Sequence, residues 1–174
     1  MKVPKLAFRI ATGATFAYFA SLAQAQTCAV AIQASNPTSV YVIDGVVGTV
    51  RDSRTGLMWD RCALGQSGSA CAGAASTLTW QAALDAAATF GIYKGYNDWR
   101  LPNIKELRSL VEECRVNPSI NEFAFPNTPT SYFWSGSPYA GAASSAWSVL
   151  FYNGYADVTT RSAVFYVRLV RAGQ

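Results

Sequence analysis

The 174-residue chain contains no histidine. That removes the usual general base near neutral pH, and with it every Ser-His arrangement. The remaining acid–base chemistry rests with the carboxylates Asp44, Asp52, Asp60, Asp85, Asp98, Glu106, Glu112, Glu113, Glu122 and Asp157. A facing pair of them would suffice for a glycosidase. Several have simpler duties, however. Asp52 and Asp98 fall in turns, Glu106 falls where a helix start needs it, and Glu112 and Glu113 fall on the polar side of a helix. No catalytic residue is assigned, and an enzyme is not expected. The cysteines Cys28, Cys62, Cys71 and Cys114 include no close pair, and without histidine they make no zinc site. No metal or cofactor is expected.

The residues that must position everything else lie between Gly95 and Cys114. Asn97-Asp98 is a turn signal, followed directly by Trp99. Pro102 pushes Leu101 out of helical angles. Asn103 is a good N-cap, and Glu106 three residues later completes a capping-box pattern. Ile104, Leu107, Leu110 and Val111 share one helical face; Lys105, Arg108, Glu112 and Glu113 lie on the other. The spacing therefore predicts a helix from Asn103 towards Cys114. A first helix is predicted from Thr79 to about Phe90, with Gly91 ending it.

Around these helices the sequence reads as strands. Val40–Ile43 and Val46–Val50 flank Asp44-Gly45, a hairpin-type turn. Asp52 to Gly56 is a turn in which Asp52 accepts backbone N–H groups and Gly56 takes positive φ; Leu57-Met58-Trp59 resumes the strand, with Trp59 buried. After Cys114, Asn117-Pro118 and the 125–129 segment break regular structure. Tyr132–Trp134 is a short strand, 146–152 alternates, Asn153-Gly154 signals a type I′ hairpin, and 165–171 alternates as a last strand. The class is α+β, two helices set apart from one antiparallel sheet.

Export is expected. Lys2, Lys5 and Arg9 precede an apolar run from Ile10 to Leu22, and Ala23-Gln24-Ala25 fits small-x-small cleavage. Residues 1–25 read as a signal peptide cut between Ala25 and Gln26, and 26–46 as an N-terminal extension. The final location is periplasm, cell surface or medium, with no transmembrane segment after cleavage. Without the three leader cations the chain holds 11 basic and 10 acidic residues. Such a near-neutral body is not an electrostatic nucleic-acid binder. Export also permits disulfides. Four cysteines allow three pairings. The Gly/Ser/Ala loop between Cys62 and Cys71 favours their bond, leaving Cys28 to Cys114.

Several of these stretches resemble a known family. Asp52-Ser53-Arg54-Thr55-Gly56-Leu57-Met58-Trp59, then Trp99-Arg100-Leu101-Pro102-Asn103-Ile104-Lys105-Glu106-Leu107, then Phe125-Pro126-Asn127-Thr128-Pro129 and finally Tyr166-Val167-Arg168-Leu169-Val170-Arg171 are similar, in order, to the motifs of the Lcl C-terminal domain family. The resemblance covers residues 47–174. Shorter matches, in the Arg-Leu-Pro-x-x-x-Glu core and the Val-Arg ending, are similar to the formylglycine-generating-enzyme group. The resemblance implies a C-type-lectin-like fold: two helices on a twisted antiparallel sheet, with long irregular loops that carry function. The activity of that enzyme group does not carry over, because its cysteines lie late in the chain and none follows Cys114 here. Calcium binding of the lectin type is disfavoured too. Beyond Cys114 only Glu122 and Asp157 are acidic, beside the amides Asn117, Asn121, Asn127 and Asn153.

The family includes an adhesin domain that recognises sulfated glycosaminoglycans, so the resemblance implies a glycan or surface-protein partner. Sulfate recognition wants cationic forks beside aromatics. Arg115, Arg161 and Arg171, with Tyr132, Tyr139, Tyr152 and Tyr155, are the candidates. Arg100 and Arg168 are assigned to bracing the core, and most Tyr and Trp residues to filling it. The expectation is a secreted, non-catalytic binding module. Its alternative is an interaction or structural part of a surface or envelope assembly, and the third is an enzyme of the formylglycine-generating type.

Overall fold

The computed structural model describes residues 28–173; the expected leader and its cleavage point lie outside the described residues. The chain runs through strands β1 (Tyr41–Asp44), β2 (Thr49–Asp52), β3 (Leu57–Asp60) and β4 (Thr77–Leu78), then helices α1 (Trp80–Thr89) and α2 (Ile104–Arg108). It ends in strands β5 (Tyr132–Pro138), β6 (Ser145–Leu150), β7 (Tyr155–Thr160), β8 (Phe165–Tyr166) and β9 (Val170–Ala172). The α+β class is as expected. The single antiparallel sheet is not. Four strands form an antiparallel sheet in the order β1-β2-β3-β9, and five form a second in the order β4-β8-β5-β6-β7, in which β8 meets β5 in parallel.

The C-terminal stretch explains the division. An alternating strand over 165–171 would place every second side chain in water. Instead Val167, Arg168, Leu169, Val170 and Arg171 are all buried. Between β8 and β9 the chain passes from one sheet to the other. On the way the Val167 carbonyl accepts from Leu64 N–H and the Leu169 carbonyl from Asp60 N–H, both at 2.9 Å. Buried on every side, the segment carries no period.

Both predicted hairpin turns prove longer than two residues. In each, the fourth loop residue is a glycine at positive φ, Gly48 (+80°) and Gly154 (+81°), and its N–H closes back on the last strand carbonyl (Asp44 or Leu150) at 2.8 Å. The predicted strand over 46–50 therefore starts only at Thr49. The Asp44 carboxylate accepts from Val46 and Val47 N–H instead, at 3.0 and 2.9 Å. At the second tip Phe151 turns into the core, fully buried, which draws two more residues into the loop.

Helix α1 begins as predicted, with the Thr79 hydroxyl accepting from Ala82 N–H. At α2 the capping box is complete: Asn103 Oδ1 accepts from Glu106 N–H at 2.9 Å, and Glu106 Oε2 accepts from Asn103 N–H at 2.7 Å. The helix stops at Arg108, well short of Cys114. The Ser109 hydroxyl donates to the Glu106 carbonyl at 2.7 Å, and Leu110 and Val111 N–H reach back only three residues. The chain then bridges Val111 to Ile120.

Glu112, expected on the wet face, is buried. Its carboxylate accepts from Ser35 N–H (2.7 Å), Asn36 N–H (2.8 Å) and the Ser35 hydroxyl (3.0 Å), and so clamps the N-terminal extension. Burial pulls this carboxyl up, but the Asn36 and Ser35 N–H groups and the Ser35 hydroxyl outweigh it and hold it below its ordinary 4.5. A depressed carboxyl stabilises the fold above the unfolded value and loses that contribution as pH falls through the folded one. Glu112→Gln is therefore expected to cost about 1–3 kcal/mol at neutral pH and to flatten the acid decline of stability. Urea melts between about pH 6 and about pH 3 check this; an unchanged acid limb would contradict it.

The core has two parts. One gathers Val50, Trp59, Leu107, Leu110, Ile120, Phe125, Phe133, Val149 and Phe151; the other gathers Trp80, Ala83, Trp99, Leu101, Trp134, Val167 and Leu169. Arg168 braces the first, as expected. Its guanidinium lies 4.9 Å from the Phe125 ring centre and donates to the Asp60 and Arg61 carbonyls and to Thr128 Oγ1 (2.8 Å). Burial pushes its pKa down to about 10. Arg100 instead works at the surface, gripping Glu106 with both nitrogens at 2.8 and 2.7 Å. The Asp52 turn forms as read: Asp52 is buried, its Oδ1 accepts from Arg54 N–H at 2.9 Å, and Gly56 has φ +71°. Both expected disulfides are present, Cys28–Cys114 and Cys62–Cys71.

Candidate functional site

Helix α2 presents Lys105 and Arg108 to solvent, as its period requires, while Leu107 anchors it from below. The β6–β7 hairpin runs alongside. Its tip fits closely: a Cβ on Gly154 would lie 2.4 Å from Val111 Cγ1, so only glycine seats the loop there. Two adjoining hollows result. One, about 380 Å³, lies among Arg108, Val111, Glu113 and residues 153–156. The other, about 180 Å³, lies among Ile104, Lys105, Arg108, Trp147 and Ala156. They share Arg108 and Ala156 and form one furrow along the helix.

Its chemistry is cationic and aromatic. Among the described residues, neither Lys105 nor Arg108 enters an ion pair. Trp147 forms part of the floor, and Tyr139 meets it edge-on at 5.6 Å. Tyr155 stands 70% exposed at the wall. Glu113 marks one end with an opposite charge. A third hollow, about 520 Å³, lies between α1 and residues 99–103 and is mainly apolar.

Of the residues singled out in the sequence, Tyr155 lines this furrow, and Tyr139 touches its floor through Trp147. Tyr152 is exposed on the adjacent hairpin loop. The others lie elsewhere. Arg171, expected to be free, is buried: it stacks 3.8 Å over the Tyr96 ring and pairs with Asp98 at 2.6 Å. That contact holds the Asp98 carboxyl below its usual range. Arg161 lies 4.1 Å over the Trp80 ring, with Nε donating to the Ser145 carbonyl. Tyr132 stacks on Phe165 at 4.8 Å. Arg115 is half-buried and its Nε has no hydrogen-bond partner. Partners near in space but distant in sequence hold Arg161 and Arg171, so their burial was illegible. Lys105, Arg108 and Trp147 were missed in turn. The helical period had placed the two cations in water, but nothing local announced the hairpin beside them.

A search of curated proteins gives no match. The family model described as the Lcl C-terminal domain matches residues 48–171. That span takes in both helices, β2 to β8 and the first two residues of β9, together with the Asp52 turn, the α2 capping box and Arg168. On that match the chain belongs to the Lcl C-terminal domain family.

Proposed function

We propose that the protein is an exported, non-catalytic binding module that takes anionic glycans in the furrow between α2 and the β6–β7 hairpin, in a lectin-like role. The observation that carries this reading is the pair Lys105 and Arg108, without ion-pair partners among the described residues, lining one furrow with Trp147 and Tyr155. Unpaired cations supply charge-assisted hydrogen bonds to sulfate or carboxylate, and aromatic faces pack against sugar rings. The absence of catalysis is supported by how the carboxylates are used. Asp52 and Glu112 cap backbone N–H groups, Asp60 pairs with Lys94, Glu106 with Arg100 and Asp98 with Arg171. None of the three hollows described above is lined by two carboxylates. The two disulfides fit an exported protein.

The mature protein is expected to be retained on heparin at low salt and released as salt rises. Lys105→Ala with Arg108→Ala is expected to weaken retention about tenfold or more without lowering the melting temperature, since both side chains are exposed. Unaltered retention of the double variant would contradict the assignment. A second reading, a protein-interaction part of a surface assembly, is favoured by β7. That strand is one of the two edges of its sheet and opens with the exposed Tyr155. A partner captured regardless of salt, with no heparin retention, would support it.

A further inference from the structure

At another place three loops meet: the β1–β2 tip (45–48), the disulfide loop (66–69) and the turn after α1 (93–94), enclosing about 440 Å³. Lys94 is the one charged side chain among the lining residues. Its backbone is costly. Tyr93 and Tyr96 exchange both backbone hydrogen bonds, at 2.7 and 3.0 Å, around Lys94 (φ +51°) and Gly95 (φ +84°). This is a two-residue turn with both central residues left-handed, where Asn, Asp or Gly is preferred over a long side chain. Such a conformation persists where the surroundings over-determine it, and it gathers at functional sites.

What over-determines Lys94 is its ammonium. Nζ donates to the Gly48 carbonyl at 2.7 Å and to Asp60 Oδ1 at 2.6 Å, and Asp60 is buried. A Cβ on Gly48 would stand 2.9 Å from Nζ, so that glycine also leaves room for the lysine. An ammonium has three hydrogens, and these two acceptors use two; the Tyr93 ring lies 5.3 Å from Nζ, and the side chain keeps 16% of its surface open. Beside it, Val46 and Val47 line the same cavity and are 99% and 41% exposed, apolar surface that water does not favour. Arg61 Nη1, which a Cβ on Gly45 would meet at 3.7 Å, adds positive charge behind that loop.

We propose that this three-loop cavity binds a carboxylate that carries a branched aliphatic group, its oxygen taking the spare Lys94 hydrogen and its aliphatic group packing on Val46 and Val47. The same chemistry is found in a free acid and in the C-terminus of a peptide. The Cys62–Cys71 bond then has a role beyond stability, because it closes the loop that forms one wall.

The test is calorimetric titration of the intact mature protein with N-acetyl-leucine, with a hexapeptide ending in free leucine, and with the same hexapeptide amidated. The free acids are expected to bind and the amide to bind at least tenfold more weakly. Equal affinity of the two acids would assign the site to small acids; a clear excess for the hexapeptide would assign it to peptide C-termini. Ser69→Trp, on the exposed wall, is expected to fill the cavity and abolish binding with the melting temperature unchanged. It avoids the risk of Lys94→Met, which leaves Asp60 buried without its cation. Equal binding of acid and amide, no binding of either acid, or full binding by Ser69→Trp would overturn the proposal.

Discussion

Trp99→Ala is expected to lower the unfolding free energy by about 3–5 kcal/mol. The indole is 5% exposed and belongs to the second core, with Leu101, Trp134 and Leu169. Its Nε1 donates to the Tyr93 carbonyl at 2.7 Å, and its ring meets Tyr93 and Tyr96 edge-on at 6.1 and 6.3 Å. Truncation removes the packing and one of the two hydrogen bonds to the Tyr93 carbonyl, which keeps only Tyr96 N–H. It also loosens Tyr96, on which Arg171 lies, and with it the strand pairing of β9. Urea denaturation measures the loss; a change under about 1 kcal/mol would show that the ring does not hold the two aromatic turns together.

Opening the Cys28–Cys114 bond is expected to be more damaging than opening Cys62–Cys71. The first joins residues 86 apart, the second residues 9 apart. On loop-closure entropy alone that is about 4.6 against about 2.7 kcal/mol. The longer bridge also works with the Glu112 clamp: Ala29 N–H reaches the Cys114 carbonyl at 2.8 Å, so both bind the extension to the same corner. Cys28→Ser with Cys114→Ser, compared in denaturant with Cys62→Ser and Cys71→Ser, checks the ranking. A larger loss from the short loop would contradict it.

The parts of this fold legible in the sequence are those whose cause is local. The Asn103–Glu106 box, the Thr79 cap, the Asp52–Gly56 turn and the short Cys62–Cys71 loop are each decided within a few residues. What could not be read was decided across the chain. Glu112 has the helical phase of a wet residue, yet two N–H groups some 76 positions away draw it inside. The 165–171 segment has a strand's composition, yet partners at Asp60 and Leu64 carry it between sheets. Arg171 and Arg161 resemble free cations until Tyr96 and Trp80 are placed beneath them. The candidate furrow shows the same limit, for it depends on a hairpin docking against α2.

The most direct test of the binding account is a titration of isotope-labelled mature protein with a heparin-derived oligosaccharide, followed residue by residue by NMR. The account predicts shifts concentrated at Lys105, Arg108, the Trp147 indole and Tyr155, with residues 45–48 and 93–94 unmoved. Shifts that avoid that furrow, or no shifts at oligosaccharide concentrations in the millimolar range, would contradict it.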